Sequence, residues 1–447
     1  MPKFLDPLAL LGDLVSRARQ AGADQADAVL IDSISLSHAR RLGLLEKLER
    51  AEAFNLGLRV ILGKRQAIVS ANDRDADHGR ELVGRVIAMA RSVPEDPYCG
   101  LADPAELAKQ FPDLELADPV EPTPALLAER AGVAEEAALA IKGVTNSEGA
   151  QAGWSRNRMA LVGSNGFAGT YAATGHAIAV AVLAGNGTTM ERDDDWDSAV
   201  FGADLKSPSA IGRKAGERAV RRLGARKMPT AKVPVVFDPR VSSSLLRHLS
   251  GAISGPSIAR GTSFLKDKLG QPVLPRGITV VDDPHMMRGH RSAPFDGEGV
   301  ATARRDVVAD GVLQTWLLDL ASARQLRLKT TGHARRGTSA PPGPAPANLY
   351  LVPGALTAQE LVGEIASGFY VTELMGMGVS GVTGDYSRGA AGFWIDNGVL
   401  AFPVSEVTVA GNLKDMFLHL TPASDLEFRT GIDAPTVRID GMTVAGA

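Results

Sequence analysis

The chain has 447 residues, of which 45% are hydrophobic and 22% are charged, and its formal net charge is -3. Its length exceeds that of a single hydrophobic core, so we expect two or three domains in a globular protein of ordinary composition. The charge offers no concentrated basic surface for nucleic acid, and no stretch approaches the ~20 apolar residues of a membrane span. These properties exclude a nucleic-acid-binding protein and an integral membrane protein as first hypotheses.

Cysteine usage and the N-terminal residues indicate the compartment. Cys99 is the only cysteine, which excludes an intramolecular disulfide and a zinc site built from several thiolates. Residues 1–20 space leucines at helical intervals and interrupt them with charges, a pattern that predicts an amphipathic helix and not a signal peptide. We therefore expect a cytoplasmic protein.

The first segment, residues 1–93, begins with this helix and continues with a meander and a second helix. Apolar runs of strand-forming residues predict the strands, and Gly63-Lys64 has the composition of a hairpin turn. The predicted elements after the first helix are strands over 28–31, 33–44, 53–62 and 66–70 and a helix over 77–91. This order predicts an N-terminal α+β domain.

Residues 94–123 are rich in proline, which removes backbone donors and fixes φ, so we expect a linker with one short helix over 105–110. A second α+β region follows over 124–228. It begins with a helix whose first turn contains Pro124 and ends with a helix over 207–223. Between them, Asn-Gly pairs predict the tight turns of a second antiparallel meander.

The C-terminal region, residues 229–447, is predicted to be mostly antiparallel sheet. It opens with a strand over 233–237 and a helix over 241–252. Hairpin signals with apolar flanks recur at Asp310-Gly311, Asn397-Gly398 and Asp440-Gly441. The whole chain is therefore predicted to be α+β, with N-terminal α/β units that contain antiparallel meanders and a β-rich C-terminal domain.

Residues 376–381 match the glycine spacing of a dinucleotide-binding fingerprint. That fingerprint functions only where its glycines join a strand to a helix. The residues that follow, 382–389, are too rich in glycine and β-forming residues to predict a helix. We interpret this stretch as a glycine-rich loop.

No histidine in the sequence is followed by glutamate, so the usual helical motif of zinc peptidases is absent. His285 and His290 are the closest histidine pair, and Asp282 and Asp283 stand beside them in a segment whose proline and glycine predict a loop. A polar surface loop is the favoured interpretation. A stand-alone metallohydrolase, with a metal held by these four residues, stays open as an alternative hypothesis.

Four stretches resemble a known protein family. They are 331–334 (TGHA), 348–354 (NLYLVPG), 384–395 (GDYSRGAAGFWI) and 403–416 (PVSEVTVAGNLKDM). Together they resemble the C-terminal domain of the TldD/TldE family, and the last two are similar to its TldE branch, which is also called PmbA. The resemblance extends over nearly the whole chain, with a weaker fit in roughly the first half.

In this family the TldD branch carries an HExxxH zinc motif on a helix and a cysteine ligand near the C-terminus, and the TldE branch lacks both. The resemblance places Arg247 at the first histidine position, His248 at the glutamate position and Ala252 at the second histidine position. Arginine stays protonated at cellular pH, and alanine has no donor atom. The resemblance therefore implies a subunit that has no catalytic residues, holds no metal and is inactive alone, with zinc in a TldD-like HExxxH partner.

The same resemblance implies a two-subunit peptidase that acts on unfolded peptides, and a homodimer of the isolated chain stays open as an alternative. We expect Asp385, Tyr386 and Arg388 to line a cleft or partner surface, with His333 behind them. In an alternative interpretation, 384–392 is a tight structural crossing at which glycine lets backbones approach. A third hypothesis, a binding protein that modulates DNA gyrase, rests on an older family name.

Overall fold

The computed structural model describes residues 6–72 and 78–446. Residues 1–5 of the predicted N-terminal helix and Asp77, the predicted start of the second helix, lie outside the described residues. The helices are α1 (Pro7–Gln20), α2 (His78–Ser92), α3 (Pro124–Leu139), α4 (Pro208–Arg221), α5 (Pro239–Ala252), α6 (Gly255–Ala259), α7 (Leu320–Leu326), α8 (Ala358–Gly363) and α9 (Leu413–Leu418), with a 3-10 turn at Gly187–Thr189. None of these helices is long and apolar enough to cross a membrane.

The strands fall into three sheets and one short two-stranded ribbon within the described residues. They are β1 (Gln25–Arg41), β2 (Leu44–Leu62), β3 (Arg65–Ala71), β4 (Val144–Gly163), β5 (Ala168–Ala184), β6 (Glu191–Ala199), β7 (Ala231–Phe237), β8 (Val280–Asp283), β9 (Arg305–Ala309), β10 (Val312–Leu313), β11 (Ala334–Arg335), β12 (Gly343–Pro344), β13 (Asn348–Leu351), β14 (Ser367–Met375), β15 (Asp385–Asp396), β16 (Val399–Asn412), β17 (Leu420–Pro422), β18 (Ile432–Asp433) and β19 (Val437–Ala445).

Six of these strands form the central sheet, in the order β3-β2-β1-β4-β5-β6 with antiparallel neighbours. The pairing of β1 with β4 joins the segments 1–93 and 124–228 in one sheet. The strands predicted over 28–31 and 33–44 are one strand, so that prediction was wrong. The polar pair Asp32-Ser33 interrupts the apolar run without interrupting the ladder, because both residues keep partners on β2 and on β4.

The predicted starts of α3 and α4 are confirmed, whereas α5 begins at Pro239, before the predicted residue 241. Thr123, Ser207 and Asp238 each accept a hydrogen bond from a backbone N–H of the first turn, and proline follows the cap in each case. Helices α3 and α4 cross closely, since a Cβ at Gly212 would lie 2.1 Å from the carbonyl oxygen of Ala134. Glycine at this crossing therefore lets the two helices approach to backbone contact.

The short helix predicted over 105–110 is absent from the described chain, so that prediction was wrong. The segment forms a turn, and Leu107 then makes an isolated β-bridge with Val300 of the C-terminal region. The side chain of Asp103 accepts a hydrogen bond from the backbone N–H two residues on, at 2.8 Å. Such local side-chain bonds compete with a helix, and here the competing turn is the stable structure.

The C-terminal region contains a closed barrel. Its strands follow the order β16-β15-β14-β7-β19, and β19 pairs again with β16 to close the circle. Strands β7 and β14 run parallel, whereas the other neighbours in the barrel run antiparallel. A second sheet of the region has the order β10-β9-β8-β13-β18. The predicted α+β fold with a mostly antiparallel C-terminal domain is confirmed.

Two of the three predicted hairpin turns of this region are confirmed, and the third was wrong. Asp310-Gly311 joins β9 to β10 and Asn397-Gly398 joins β15 to β16. Asp440-Gly441 instead forms an irregularity inside β19, where the register to β7 shifts. Gly441 has a φ of +79°, which glycine adopts without strain. The strand continues because β7 supplies ladder partners on both sides of the irregularity.

A buried ionic network joins the central sheet to the C-terminal region. Asp27 on β1 accepts a hydrogen bond from Arg59 on β2 at 3.1 Å and another from Arg336 of the C-terminal region at 2.9 Å. All three side chains are almost fully buried. Burial alone would raise the pKa of Asp27, but the two guanidinium groups lower it to about 2. The carboxylate is therefore charged at neutral pH.

Two further buried carboxyl groups, Asp296 and Glu298, lie within electrostatic reach of this network. Asp296 accepts hydrogen bonds from the backbone N–H groups of Glu298 and Val300, both at 2.8 Å. Burial and the neighbouring Asp296 raise the pKa of Glu298 to about 8, against an opposing effect of Arg59. Glu298 therefore binds a proton near neutral pH.

Candidate functional site

Helix α5 carries Arg247, His248 and Ala252, the three positions at which the sequence resemblance places the zinc motif. A stripe of buried leucines on the same helix packs into the main hydrophobic core and fixes the rotation of the helix. As a result Arg247 is exposed, His248 is partly buried and Ala252 is buried. Of these three side chains, only the imidazole offers an atom that binds metals.

The ring of His248 lies against Tyr386 on β15. The two ring centroids are 6.0 Å apart, and the rings are nearly perpendicular at 83°. Tyr386 is only 1% exposed. In the described part of the chain, neither its hydroxyl nor the buried Nε2 of His248 has a hydrogen-bond partner. Such atoms are places at which ordered water or a bound ligand completes the hydrogen bonds.

Arg388, two residues further along β15, adds positive charge to this pair. Its guanidinium donates hydrogen bonds to the carbonyl oxygens of Leu374 and Met375, at 3.3 and 3.5 Å. Burial, and secondly the charge of Arg388, lower the pKa of His248. Burial raises the pKa of Tyr386 to about 12, against the effect of Arg388. The His248–Tyr386–Arg388 cluster therefore offers two neutral rings and one positive charge at neutral pH.

Asp385, which the sequence analysis grouped with Tyr386 and Arg388, closes a surface loop. It is exposed, and its carboxylate accepts hydrogen bonds from Thr383 Oγ1 at 2.6 Å and from Asn412 Nδ2 at 3.0 Å. The preceding glycine-rich residues, 376–384, form a loop with no helix after it, as predicted. A Cβ at Gly378 would lie 2.1 Å from the carbonyl oxygen of Ser387. The glycine there permits a close backbone approach, which supports the structural interpretation of this stretch.

His333 belongs to a separate buried pair. It is 5% exposed, and its ring nitrogens form hydrogen bonds with Thr331 Oγ1 at 2.8 Å and with Asp282 Oδ2 at 3.1 Å. Both nitrogens are therefore engaged inside the protein. Neither is available to a ligand, and the structure assigns His333 to the support of the interior.

The residues of the alternative metal site do not converge. Asp282 is engaged by His333, the ring of His285 forms a hydrogen bond with Thr302 Oγ1 at 2.9 Å, and His290 lines a cleft. Across residues 6–72 and 78–446, no group of three or more His, Cys, Asp or Glu side chains is placed to hold a metal ion. The geometry gives no support to the stand-alone metallohydrolase hypothesis.

The cleft beside His290 has a volume of about 460 Å³. It lies between the end of the central sheet and the C-terminal region, and its walls come from 197–206, 286–290 and 427–433. Lys206 from one wall forms an ion pair of 2.7 Å with Glu427 from the other. Such a preformed groove has the size of a small-ligand pocket.

Sequence reasoning singled out neither Arg291 nor Arg335 of the C-terminal region. Arg335 donates a hydrogen bond to the carbonyl oxygen of Arg291 at 2.5 Å. Burial, the charge of Arg335 and, more weakly, the charge of Arg247 lower the pKa of Arg291, against an opposing effect of Asp282. Separate segments supply Arg291 and Arg335, so no sequence motif connects them.

Comparison with known proteins identifies the family. Residues 26–90 match the PmbA/TldA metallopeptidase domain 1, residues 117–223 match its central domain, and residues 230–446 match its C-terminal domain. The chain belongs to the PmbA/TldD metallopeptidase family. The metalloprotease PmbA of Escherichia coli O157:H7 is 38% identical to it over 442 residues, which cover 98% of this chain and 96% of the relative.

Two solved structures share the fold of this PmbA/TldD-family chain. A Bacteroides thetaiotaomicron protein, described as a modulator of DNA gyrase, superposes with a TM-score of 0.90 at 28% identity, with 98% of each chain covered. TldE from Thermococcus kodakarensis superposes with a TM-score of 0.87 at 19% identity, and the match covers 98% of this chain and 100% of that chain. The PmbA/TldE-like assignment made from the sequence is confirmed.

The name of the family implies a metal, and the residues on α5 can be tested against zinc. Catalytic zinc in peptidases takes three protein ligands, from imidazole, carboxylate or thiolate groups, and a water. In this PmbA/TldD-family chain, helix α5 presents the single imidazole of His248 between Arg247 and Ala252, and Arg388 adds a second positive charge nearby. A divalent cation would meet one neutral donor and two cations, so these residues do not fit zinc.

Proposed function

We propose that this chain is the non-catalytic, TldE-like subunit of a two-subunit zinc metallopeptidase that degrades unfolded peptides in the cytoplasm. The observation that supports the proposal is the composition of α5, where Arg247, His248 and Ala252 stand at the positions that the sequence resemblance gives to the zinc motif. Zinc would be held by the HExxxH motif of a TldD-like partner. This chain would complete the cavity around that metal and help to hold the peptide.

The His248–Tyr386–Arg388 cluster supports a binding role. Neutral rings with unpaired polar atoms, together with one guanidinium group, can form hydrogen bonds with a peptide backbone. Next to the cluster, Met375 and Met377 are exposed, Met377 by 93%. Flexible methionine side chains adapt to partners of different shape, and a subunit that meets peptides of varied sequence needs this property.

Cleavage of an unfolded peptide tests the proposal, with the purified chain, its HExxxH-bearing relative and the mixture of the two as separate samples. We expect cleavage in the mixture alone, loss of cleavage on adding a chelator, and recovery when zinc is returned. Chelator-sensitive cleavage by this chain alone would contradict the non-catalytic role. If the relative alone cleaved as fast as the mixture, the two-subunit requirement would be wrong.

A two-subunit enzyme needs an interface, and we propose residues 42–53, the hairpin arm, as the surface that docks the partner. The β2 part of the arm is exposed and forms a free sheet edge, because β3 pairs only with later residues of β2. Its exposed leucines are Leu42, Leu44, Leu45 and Leu48, and Leu44 is 73% exposed. Glu135 on α3 holds the turn by accepting hydrogen bonds from two backbone N–H groups, at 2.7 and 3.1 Å. The arm therefore presents its apolar side chains in a fixed position.

Replacing Leu45 and Leu48 together by glutamate is expected to weaken assembly with the HExxxH-bearing relative at least tenfold. Burying a leucine contributes about 1.5–3 kcal/mol to an interface, and a charge at the same place opposes it. Analytical ultracentrifugation of the mixed proteins measures the effect. Val399→Glu is the matched control, since Val399 is also exposed and lies outside the arm. Equal assembly of the double variant and the control would show that the partner docks elsewhere.

The description of the Bacteroides relative favours a second candidate function, the modulation of DNA gyrase. A net charge of -3 gives this chain no electrostatic attraction to DNA, so such a function would require contact with the enzyme itself. Co-purification with gyrase, and not with an HExxxH protein, would support this candidate over the peptidase subunit.

A further inference from the structure

Three aspartates at alternate positions of β6, Asp193, Asp195 and Asp197, are each at most 5% exposed. Arg240 pairs with Asp193 at 2.8 Å, and Arg218 pairs with Asp195 at 2.7 Å. Asp197 differs from both, because no basic side chain of the described residues lies within ion-pair distance of its carboxylate. A buried carboxylate is costly to keep without a positive partner. Asp197 therefore lacks the cation that the other two aspartates of the strand possess.

One oxygen of the Asp197 carboxylate is held by the protein, and the other is open. Oδ2 accepts a hydrogen bond from the backbone N–H of Lys206 at 2.8 Å. Within residues 6–72 and 78–446, Oδ1 has no hydrogen-bond partner, and it is not sealed from solvent. Asp197 lines the cleft of about 460 Å³. A free oxygen of a nearly buried carboxylate therefore opens on a preformed cavity.

The lysine and arginines that line this cleft are already paired with other carboxylates. Lys206 and Arg429 both pair with Glu427, at 2.7 and 2.6 Å. Arg288 pairs with Asp204 at 3.0 Å. None of these three cations is therefore available to balance Asp197.

The charge of the cleft is negative. Four carboxylates and three basic side chains, besides His290, line it. Asp433, like Asp197, has no ion-pair partner in the part of the chain that the structure describes, and it accepts hydrogen bonds from the backbone N–H groups of 429–431. Burial lowers the pKa of His290, against the opposing effects of Asp433 and Asp197. The imidazole is therefore neutral at neutral pH and leaves the negative charge unbalanced.

Apolar side chains stand at the entrance of the cleft. Phe428 and Met287 both line it, and they are 47% and 56% exposed. The ring of Phe428 packs against Tyr350 at an angle of 87°, with the ring centroids 5.2 Å apart, which fixes its orientation. An aromatic ring attracts a cation within about 6 Å of its face. A cationic group that enters the cleft would therefore pass an aromatic ring before it reaches the carboxylate.

We propose that this cleft binds a positively charged group of a peptide, with Asp197 as the ion-pair partner of that group. The inference rests on the proposed peptidase function and deepens it, by naming the chemical group of the substrate that this subunit recognises. The open oxygen of Asp197 accepts a charge-assisted hydrogen bond from an ammonium or guanidinium group. The peptide supplies the cation that the third aspartate of β6 lacks.

A positive charge on a peptide has two sources, the N-terminal ammonium group and the side chains of Lys and Arg. Four C-terminally amidated versions of one unfolded peptide separate them: a free N-terminus without basic residues, the same peptide acetylated, the acetylated peptide with one Lys, and the acetylated peptide with Gln in its place. Calorimetric titration of the full chain with each peptide gives four dissociation constants. We expect at least one cation-bearing peptide to bind about tenfold or more tightly than its neutral counterpart, as charge-assisted hydrogen bonds require.

Substitutions connect this preference to the cleft. Asp197→Asn keeps the oxygen that accepts the hydrogen bond from Lys206 and removes the charge, so the preference should fall below about twofold. Phe428→Leu, at an exposed position, should weaken the preference about two- to fivefold, as expected for an exposed cation–π contact. Asp194→Asn is the matched control, since Asp194 lies on the same strand, pairs with Arg192 at 2.9 Å and does not line the cleft. Its preference should equal that of the unchanged chain.

Thermal unfolding without peptide separates recognition from support of the fold. Asp195→Asn leaves Arg218 without its buried partner and should lower the melting temperature. Asp197→Asn removes a buried charge that has no partner, so the melting temperature should stay unchanged or rise. Equal losses in the two variants would show that Asp197 supports the fold and is not kept for a ligand.

The remaining outcomes of the titrations also contradict the inference. Equal binding of all four peptides, or no binding at all, would show that the cleft recognises no peptide cation. A preference that persists in Asp197→Asn would place the recognition elsewhere. If Asp197→Asn instead abolished assembly with the HExxxH-bearing relative and left the peptide preference intact, the cleft would face a basic surface of that subunit. The titrations use the isolated chain, so their result is independent of whether the mixture cleaves peptides.

Discussion

Replacing Asp27 by alanine is expected to lower the free energy of unfolding by about 3–5 kcal/mol. The variant leaves Arg59 and Arg336 buried with no carboxylate between them, and an unpaired buried charge costs more than the pair contributes. Because the pKa of Asp27 is about 2, the stabilising charge is present above the ordinary pKa of an aspartate and is lost only as the pH falls through about 2. The loss should therefore be the same at every pH from 5 to 8.

Denaturant unfolding followed by circular dichroism measures this effect. Asp13→Ala is the matched control, because Asp13 pairs with Arg17 at 2.8 Å on an exposed helix surface. Exposed pairs contribute little, so the control should unfold like the unchanged chain. Similar losses for the two variants would mean that the buried network does not hold the central sheet to the C-terminal region.

Replacing Glu298 by glutamine is expected to stabilise the protein by about 2–4 kcal/mol at pH 9 and to have little effect at pH 5. The pKa of Glu298 is about 8 in the folded chain, compared with the ordinary glutamate value of 4.5 in the unfolded chain. At pH values between 4.5 and about 8, Glu298 therefore binds a proton in the folded chain but not in the unfolded chain. Its stabilising contribution is therefore complete below 4.5 and is lost as the pH rises through about 8. Glutamine is neutral at every pH, so the variant lacks this pH dependence of stability.

Thermal unfolding between pH 5 and pH 9 provides the measurement. The melting temperature of the unchanged chain should fall with rising pH, and that of Glu298→Gln should fall less, so the two curves separate towards high pH. Glu49→Gln, at an exposed position of β2, is the control and should follow the unchanged chain. Parallel curves for Glu298→Gln and the unchanged chain would show that Glu298 is already ionised at neutral pH.

Local signals predicted the elements whose ends depend on neighbouring residues. Pro124 in the first turn of α3 is such a signal, and so are the turns at Asp310-Gly311 and Asn397-Gly398. The errors came where distant partners decide the structure. Strand β1 continues through Asp32-Ser33 because β2 and β4 hold it on both sides. Strand β19 passes through Asp440-Gly441 because β7 does the same.

The sequence singled out residues of the candidate site one segment at a time, without predicting which of them touch. The resemblance singled out His248 on one segment and Tyr386 and Arg388 on another, but the contact between the two rings depends on how α5 packs against the barrel. His333 was expected behind the cleft and is instead tied to Asp282. Arg291 and Arg335 carried no signal, because a single arginine resembles any solvated residue until its burial is seen.

The closure of the barrel also determines when the protein can finish folding during its synthesis. Strand β7 is the first barrel strand to leave the ribosome, and β19, which pairs with both β7 and β16, is the last. Until residues 437–445 emerge, β7 and β16 each keep an open edge that can pair with another chain. The central sheet draws its strands from residues 25–199 and can form earlier. A nascent chain stalled shortly before residue 437 would therefore carry a folded central sheet and an open, aggregation-prone barrel.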